Sequence, residues 1–390
     1  MHVCVVTREL AGVTDYTGGV GTHFNALVHA LLASGDQVTV LLVDQETSPE
    51  EHQFGSAGFV AVPSPRMGPI WFLNGLPLAY SVRTALKRID ADVVFAPEWA
   101  GDVALAAGAV GVPPVVTNLV TSQELIAEVE GNPALDWRWR WRYLIQRRLE
   151  RRQVARSRAL FACSNAILDW TKEHWQVPSD TVVMPNFIDV RAVQARAGQA
   201  APAPLDDGVT VLYFGRLETR KGVHVLAEAM HRVLAQRDDV RFLYVGQDGR
   251  HEGRSMQAFI EGQAEHHDDR LSVIHALPPA DMAAVVARAD ITVLPSLWEN
   301  FSIAALETKA LGRPLIATTG SGFDDFCTDG QDSLLVEPGS VDQIEHALLR
   351  LVDDPALRER LGSRAREVVE RYDSDVVVEQ LRDELQKRLR

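Results

Sequence analysis

Cysteine is scarce in this chain: among 390 residues there are only Cys4, Cys163 and Cys327, and no pair of them has metal-ligand spacing. Cys4 and Cys163 lie in apolar stretches, and the three read as reduced core thiols of a cytosolic protein. Long apolar runs are missing too. No stretch approaches the roughly 20 residues of a membrane helix, and residues 1–6 are too short for the apolar region of a signal peptide. Basic side chains are outnumbered, 39 Lys and Arg against 53 Asp and Glu, and the formal charge of −14 argues against generic affinity for nucleic acid or anionic membranes. Local patches can still differ. Tandem repeats and low-complexity tracts are absent. What is present is a 46% hydrophobic content, enough for large cores, on a length that suits two to three domains. The expectation is a soluble, cytoplasmic protein.

The first half alternates strand-like and helix-like segments, as a doubly wound α/β domain does. Residues 3–7 and 38–43 read as buried strands, with an amphipathic helix over about 22–34 between them that ends at Gly35. Further strands are expected at 93–96, 115–117, 160–163 and 182–184. Most are short β-branched runs, as parallel sheets buried on both faces require. Between Arg191 and Gly208 these patterns give way to Ala, Pro, Gln and Asp, which marks an interdomain linker. The alternation then restarts, with strands expected at 210–214, 241–245, 271–274, 291–294 and 315–317 and a helix over 223–236. The domain plan is residues 1–190, a linker over 191–208, a second domain over 209–370, and a terminal helix within 371–390 that can return to pack on the first domain.

Two glutamates eight positions apart carry the clearest functional signal. Glu299 and Glu307 bracket a segment that leaves the strand at 291–294, stopped by Pro295, and enters a helix closed by Gly312. Free backbone N–H groups at the helix start, with the positive end of its dipole, favour an anion. A carboxylate touching phosphate would repel it, so the pair reads as accepting hydrogen bonds from hydroxyls of a sugar or ribose. A sugar nucleotide meets both demands. The segment Phe214-Gly215-Arg216-Leu217-Glu218-Thr219-Arg220-Lys221-Gly222 brings Arg216 and Lys221 to the carboxyl end of a strand, where ligands of α/β sheets bind. An Arg fork and a mobile Lys charge can hold a diphosphate; the plainer alternative is a solvated basic turn. Gly18-Gly19-Val20-Gly21 precedes the first helix and would let the backbone approach phosphate closely. As a dinucleotide fingerprint with Asp44 as the ribose acid it fits badly. The glycines lie about ten residues beyond the strand, where that turn spans around 2 to 6.

Gly18-Gly19-Val20-Gly21-Thr22, Gly215-Arg216-Leu217 with Lys221-Gly222, Val245-Gly246-Gln247-Asp248-Gly249, and Glu299 with Glu307 stand in the order and approximate spacing of glycosyltransferase family 4. The chain resembles that family, the group 1 glycosyl transferases, over nearly its whole length. Pro185-Asn186-Phe187-Ile188-Asp189 resembles the family's Pro-Asn-Gly-Val-Asp hinge, with Phe187 where glycine is usual. The resemblance implies a retaining enzyme of the GT-B fold: α/β, with two Rossmann-like doubly wound domains facing each other across a cleft. It implies that Arg216 and Lys221 neutralise the donor diphosphate as it leaves, that Glu307 holds the ribose hydroxyls and that Glu299 faces the donor sugar. Backbone N–H groups around Phe301, Ser302 and Ile303 would contact sugar or phosphate. Gly246 belongs to the same donor-binding set, and Gly19 and Gly21 would approach from the first domain. The implied reaction carries a sugar from a UDP-, GDP- or dTDP-sugar to an acceptor hydroxyl by a front-face mechanism, with no metal and no cofactor. Fixed cations and helix N-termini can stabilise such a leaving group by themselves.

Family members commonly carry a histidine just after a first-domain strand, near the C6 hydroxyl of the donor sugar. The matching segment here, Val115-Val116-Thr117-Asn118-Leu119-Val120-Thr121-Ser122, contains none. Either Asn118, Thr121 or Ser122 reads that region or the donor lacks a C6 hydroxyl, so hexosyl and pentosyl transfer both stay open. Glu98 and Trp99, just after the strand at 93–96, are expected on the acceptor side, Trp99 for stacking on a sugar ring and Glu98 for its hydroxyls or an amine. A packed Trp and a capping Glu is the alternative. Trp137-Arg138-Trp139-Arg140-Trp141-Arg142-Tyr143 opens a basic helical region reaching Arg158. Strict alternation spreads Trp and Arg over every side of a helix, and the preferred reading is a surface helix with buried Trp anchors; membrane contact is the minority one. The partners expected are a sugar nucleotide and a small-molecule or glycan acceptor, without nucleic acid. Two rivals to a transferase remain, a catalytically silent sugar-nucleotide-binding protein and a sugar-nucleotide epimerase of the same architecture.

Overall fold

A computed structural model describes residues 1–14, 18–46, 56–131, 136–198 and 208–389. They form two compact units, Met1–Phe187 with Ser374–Arg390 and Ile188–Asp373. In the first, β1 (His2–Thr7), α1 (Gly19–Ala33), β2 (Gln37–Val43), β3 (Gly58–Val62), α2 (Gly75–Leu86), β4 (Val93–Pro97) and β5 (Val115–Leu119) are followed by α3 (Gln123–Val129), α4 (Trp137–Arg156), β6 (Ala159–Ala162), α5 (Asn165–His174) and β7 (Val182–Val183). All strand pairs are parallel, in the order β3-β2-β1-β4-β5-β6-β7. Strands β4, β5 and β6 are buried along their whole length, and the apolar runs of β4 and β6 follow from cover on both faces, while β5 buries Thr117 and Asn118 among its apolar residues. The edge strand β3 was not legible in the sequence: of its five residues only Val62 is fully buried.

Helix α4 corrects the expectation of buried tryptophan anchors. Its buried residues are Gln146, Leu149, Glu150, Gln153 and Val154, from its middle onward at helical spacing, and Trp137, Trp139 and Trp141 are exposed. The second half packs against the turn at Trp99–Gly101, where a Cβ on Gly101 would lie 2.4 Å from the Leu149 side chain. Contact that close holds the far end of the helix and leaves the first turns outside.

In the second unit, α6 (Val190–Arg196), β8 (Val209–Phe214), α7 (Val223–Gln236) and β9 (Val240–Val245) lead to a short antiparallel pair, β10 (Arg250–His251) with β11 (Arg254–Ser255). Then come α8 (Met256–Gln263), β12 (Leu271–Ile274), α9 (Pro279–Arg288), β13 (Ile291–Leu294), α10 (Ile303–Ala310), β14 (Leu315–Thr318), β15 (Leu334–Val336), α11 (Val341–Asp353) and α12 (Pro355–Val369). The six-stranded sheet is parallel in the order β12-β9-β8-β13-β14-β15. The stretch read as a linker opens instead with helix α6. The Asp189 carboxylate accepts the Ala192 N–H at 2.7 Å as its cap, and Val190 and Val193 bury one face. Residues 199–207 of that stretch lie outside the described residues.

The last helix, α13 (Ser374–Leu389), belongs to the first unit. Val377, Val378, Leu381 and Leu385 share a core with Val5, Phe24 and Leu27. The three cysteines are buried and none forms a disulfide. Among the described residues no helix is long and apolar enough to cross a membrane.

Candidate functional site

Strand order reverses in the second unit between β8 and β13, and ligands of open α/β sheets bind beyond the carboxyl ends of strands at such a point. The loops leaving these two strands carry Arg216, Lys221 and Glu299. They touch through their backbones. Gly222, at φ +67°, caps the 3-10 turn Thr219–Lys221 and opens α7; a Cβ there would lie 1.8 Å from the Pro295 carbonyl oxygen. The Leu297 N–H donates to the Arg220 carbonyl at 2.8 Å, and the Tyr213 hydroxyl donates to the Arg216 carbonyl at 2.7 Å. Chain geometry therefore delivers Lys221 to Glu299, with Nζ 2.6 Å from Oε2.

The Glu299 carboxylate also accepts the Asn300 N–H at 3.2 Å and the Ser296 hydroxyl at 3.4 Å. Burial raises its proton affinity, but the charges of Lys221 and Arg220 and the hydrogen bond from Lys221 outweigh that and hold it below the ordinary carboxylate range. Burial pulls Lys221 below the usual lysine range in spite of the same partner. Arg216 and Arg220 share the Glu218 carboxylate, at 3.2 and 2.8 Å. Three cations thus stand beside two carboxylates at the adjoining ends of β8 and β13. Glu218, Arg220 and Ser296 were not singled out from the sequence; each lies within three residues of one that was.

Helix α10 starts at this point. Ser302 caps it, its hydroxyl accepting the Ala305 N–H at 3.2 Å, while the Phe301 ring packs against Phe326 and Tyr372. Ile303 is the first helical residue. The far end is anchored by Lys309, fully buried, whose ammonium donates to Asp332 at 2.8 Å and to Ser333 at 3.1 Å. Gly322 completes the wall: its N–H donates to the Glu299 carbonyl at 2.8 Å, and a Cβ would lie 1.9 Å from the Asn300 carbonyl oxygen. Gly246 ends β9 where a Cβ would sit 1.8 Å from the Gly215 carbonyl oxygen, so its lack of a side chain is what lets two neighbouring loops meet. Glu307 has different surroundings from Glu299. It lines a small cavity with Arg196, Val193, Pro279, Met282, Ala283 and Val286, and burial pushes its carboxyl up to about 7 against the opposing charge of Arg196.

The first unit reverses its strand order between β2-β1 and β4-β5, and its loops are arranged around that point. Gly19 is the exposed first residue of α1 and Gly21 its buried third; the N–H of Gly18, the cap, donates to the Glu9 carboxylate at 2.8 Å. Glu98 and Asn118 do not face outward as expected. Each is 2% exposed, and the Glu98 carboxylate accepts the Val120 N–H at 2.8 Å, tying the end of β4 to the loop after β5. Burial pushes Glu98 up to about 8, the backbone N–H groups around it acting in the opposite direction. Fully buried Glu150, from α4, accepts the Ala100 N–H at 2.9 Å and that of Gln123, and burial with the nearby Glu98 charge raises it well above the carboxylate range. Trp99 and Thr121 are half-buried, and Ser122 is a helix cap whose hydroxyl accepts the Leu125 N–H.

Across this strand reversal runs an ion pair that sequence reasoning missed. Arg8, just after β1, grips Asp102 with two nitrogens at 2.7 and 2.6 Å and stands 3.8 Å from Asp44 at the end of β2. Asp44 is a non-glycine residue at φ +66°, a conformation that costs about 1 kcal/mol or more outside glycine. The two partners of Arg8 are 36 and 94 residues away from it, so only the placement of all three just beyond strand ends could have signalled them.

The family model for glycosyl transferases group 1 matches residues 199–368, and that for glycosyltransferase family 4 matches residues 17–192. A phosphatidyl-myo-inositol mannosyltransferase of Mycobacterium leprae is 31% identical over 94% of this chain and 92% of its own length. Among solved structures, a sucrose-phosphate synthase from Thermosynechococcus elongatus superposes with a TM-score of 0.77 at 19% identity, covering 99% of this chain and 98% of that one. Anabaena HepE, solved in complex with UDP and glucose, gives a TM-score of 0.74 at 16% identity over 98% of this chain and 99% of its own.

Proposed function

The chain belongs to the group 1 and family 4 glycosyltransferases, and we propose that it carries a sugar from a nucleoside diphosphate to an acceptor hydroxyl with retention of anomeric configuration. It is a transferase of the GT-B type, two parallel-sheet α/β units in one chain. The observation that carries the finer reading is the Lys221–Glu299 contact of 2.6 Å at the point of strand reversal, beside Arg216 and at the start of α10. Departure of a nucleoside diphosphate develops negative charge on its phosphate oxygen, and Arg216, Lys221 and the N–H groups around Phe301, Ser302 and Ile303 are the donors suited to it. Glu299 accepts hydroxyls of the donor sugar, and Glu307 those of the ribose.

In the proposed step the acceptor oxygen bonds to the anomeric carbon as the bond to the leaving phosphate oxygen breaks on the same face. The acceptor proton passes to that phosphate oxygen. Neutralisation by side chains makes the step independent of metal and cofactor. The name of the mannosyltransferase relative and the UDP and glucose held by HepE support a hexose on a UDP, GDP or dTDP carrier.

The test is nucleotide release from UDP-, GDP- and dTDP-sugars, with and without sugar and polyol acceptors, in the presence of a metal chelator. Release with one of them is expected, and Lys221→Ala and Arg216→Ala should each lower turnover by about 10²-fold or more. Unchanged turnover in both variants would remove their assigned role. A donor isomerised without any acceptor would make the protein an epimerase, and binding without release a silent sugar-nucleotide receptor.

A further inference from the structure

The start of α4 presents a surface that the transfer reaction does not use. Trp137, Trp139 and Trp141 are 58%, 45% and 52% exposed, three large aromatics within five positions. Beside them, on the 3-10 segment Gly68–Leu73 and on α2, Ile70, Leu76 and Tyr80 are exposed as well. The two elements are in contact: Trp71 meets Trp139 edge-on at 4.8 Å and Phe72 meets Trp137 at 5.2 Å. Folded proteins rarely leave an apolar patch of this kind uncovered unless something binds there.

The helix that carries the patch is strongly basic, although Asp136 caps its start and Glu124 pairs with Arg147 and Arg151 further along. Helix α4 carries eight arginines and a single acid, Glu150, which is fully buried and turned to backbone N–H groups. Guanidinium groups lie over the aromatic faces, Arg138 over Trp137 at 5.4 Å, and Arg142 over Trp139 at 5.4 Å and Trp71 at 5.7 Å. A basic aromatic surface thus sits on a chain whose formal charge is −14.

We propose that this face docks on an anionic lipid bilayer, the tryptophans entering the headgroup region and the arginines pairing with lipid phosphates. Indole suits that depth because it is apolar in body with one N–H to hydrogen-bond, and arginine suits it because its stem is apolar and its head charged. The remaining acidic surface is repelled by the same membrane, which orients the molecule with α4 downward. Docking is peripheral, since no described helix can span a bilayer. A second copy of the chain is the weaker occupant: a symmetric contact through this face would set Arg138, Arg140 and Arg142 against their own copies.

Flotation of the purified full chain with vesicles tests the proposal. Vesicles of phosphatidylcholine with about 30 mol% phosphatidylglycerol should carry the protein, pure phosphatidylcholine should not, and added salt should release it. The triple variant Trp137→Ser, Trp139→Ser, Trp141→Ser and the double variant Arg138→Gln, Arg140→Gln should each lower partitioning by about tenfold or more. The double variant takes only the Arg138 guanidinium from Trp137 and leaves the ring contacts of Trp139 with Trp71 and of Trp137 with Phe72 in place, so it decides the matter if the triple one unfolds. The proposal fails if the wild type ignores anionic vesicles, if it binds both vesicle types equally, or if both variants float as well as wild type. It also fails if the wild type sediments as a dimer that the triple variant dissolves without vesicles being involved, or if a short DNA duplex binds while vesicles do not.

Discussion

The Glu98 carboxyl is 2% exposed and is raised by burial to about 8, although Val120 and its neighbours offer it backbone N–H groups. In the unfolded chain its value is about 4.3, so the folded state holds this proton more tightly. The stabilisation it provides is complete below about pH 4.3 and is lost as the pH climbs through about 8. Glu98→Gln should therefore flatten the fall of the urea midpoint between about pH 5 and pH 8, with Glu150, raised for the same reason, keeping part of the slope. Identical slopes in wild type and variant would show that Glu98 does not titrate there. Glu299 is as deeply placed but behaves oppositely, because Lys221 and Arg220 stand beside it. The position of both glutamates at strand ends was readable from the sequence. The sign of their shifts was not, since it depends on whether a cation from elsewhere in the chain arrives.

At the level of elements, the loops that hold Lys221 and Glu299 are joined at Gly222. Alanine there would adopt a left-handed conformation and press its Cβ against the Pro295 carbonyl. The conformation alone costs about 1–2 kcal/mol. Gly253, at φ +79° with open space for at least 4 Å around the place a methyl group would take, isolates that conformational part. Gly222→Ala should therefore lose more stability than Gly253→Ala in urea unfolding and should also lower turnover by displacing Lys221 from Glu299. Equal losses and unaffected turnover would mean that the close approach is not what aligns the pair. Helices α7 and α10 were legible because their closing and opening signals are local: Gly222 and Ser302 at their starts, Gly312 past the end of α10. Edge strands β3 and β15 were not, because only one residue of β3 is buried and β15 is three residues long, too short a run to stand out. Helix α6 was hidden by a composition that fits a short capped helix as well as a linker.

For the molecule as a whole, α13 is part of the first core although it is the last element of the chain. Val377, Val378, Leu381 and Leu385 are each at most 2% exposed. At about 1.5–3 kcal/mol per buried aliphatic side chain, the four contribute at most about 6–12 kcal/mol, the same size as the total stability of an ordinary domain. A chain ending at Asp373 is expected to lose the cooperative unfolding of the first unit, read by urea denaturation, and Leu381→Ala alone should cost about 2–5 kcal/mol. A truncated chain with the full-length midpoint would show that the helix adds nothing to that core.

The sequence by itself determined the two successive runs of parallel strands, helices α1, α7 and α10 among those between them, and the residues that stand just past β8 and β13. These depend on neighbours within a few positions: apolar runs, caps, and glycines where backbone must turn. Only the tertiary structure decided which way the side chains at strand ends point. Glu98 turns inward because the loop after β5 brings the Val120 N–H to its carboxylate, Asn118 is buried within β5, and Arg8 finds Asp102 across 94 residues because adjacent strands bring their ends together. The direction of the tryptophans was undecidable locally for a related reason. Alternation of period two places Trp and Arg on every side of a helix of period 3.6, so the rotation of α4 is set by Leu149, Glu150, Gln153 and Val154 further along, which bury against the turn Trp99–Gly101 and, through Gln153, reach β4 and β5, and leave Trp137, Trp139 and Trp141 in the open.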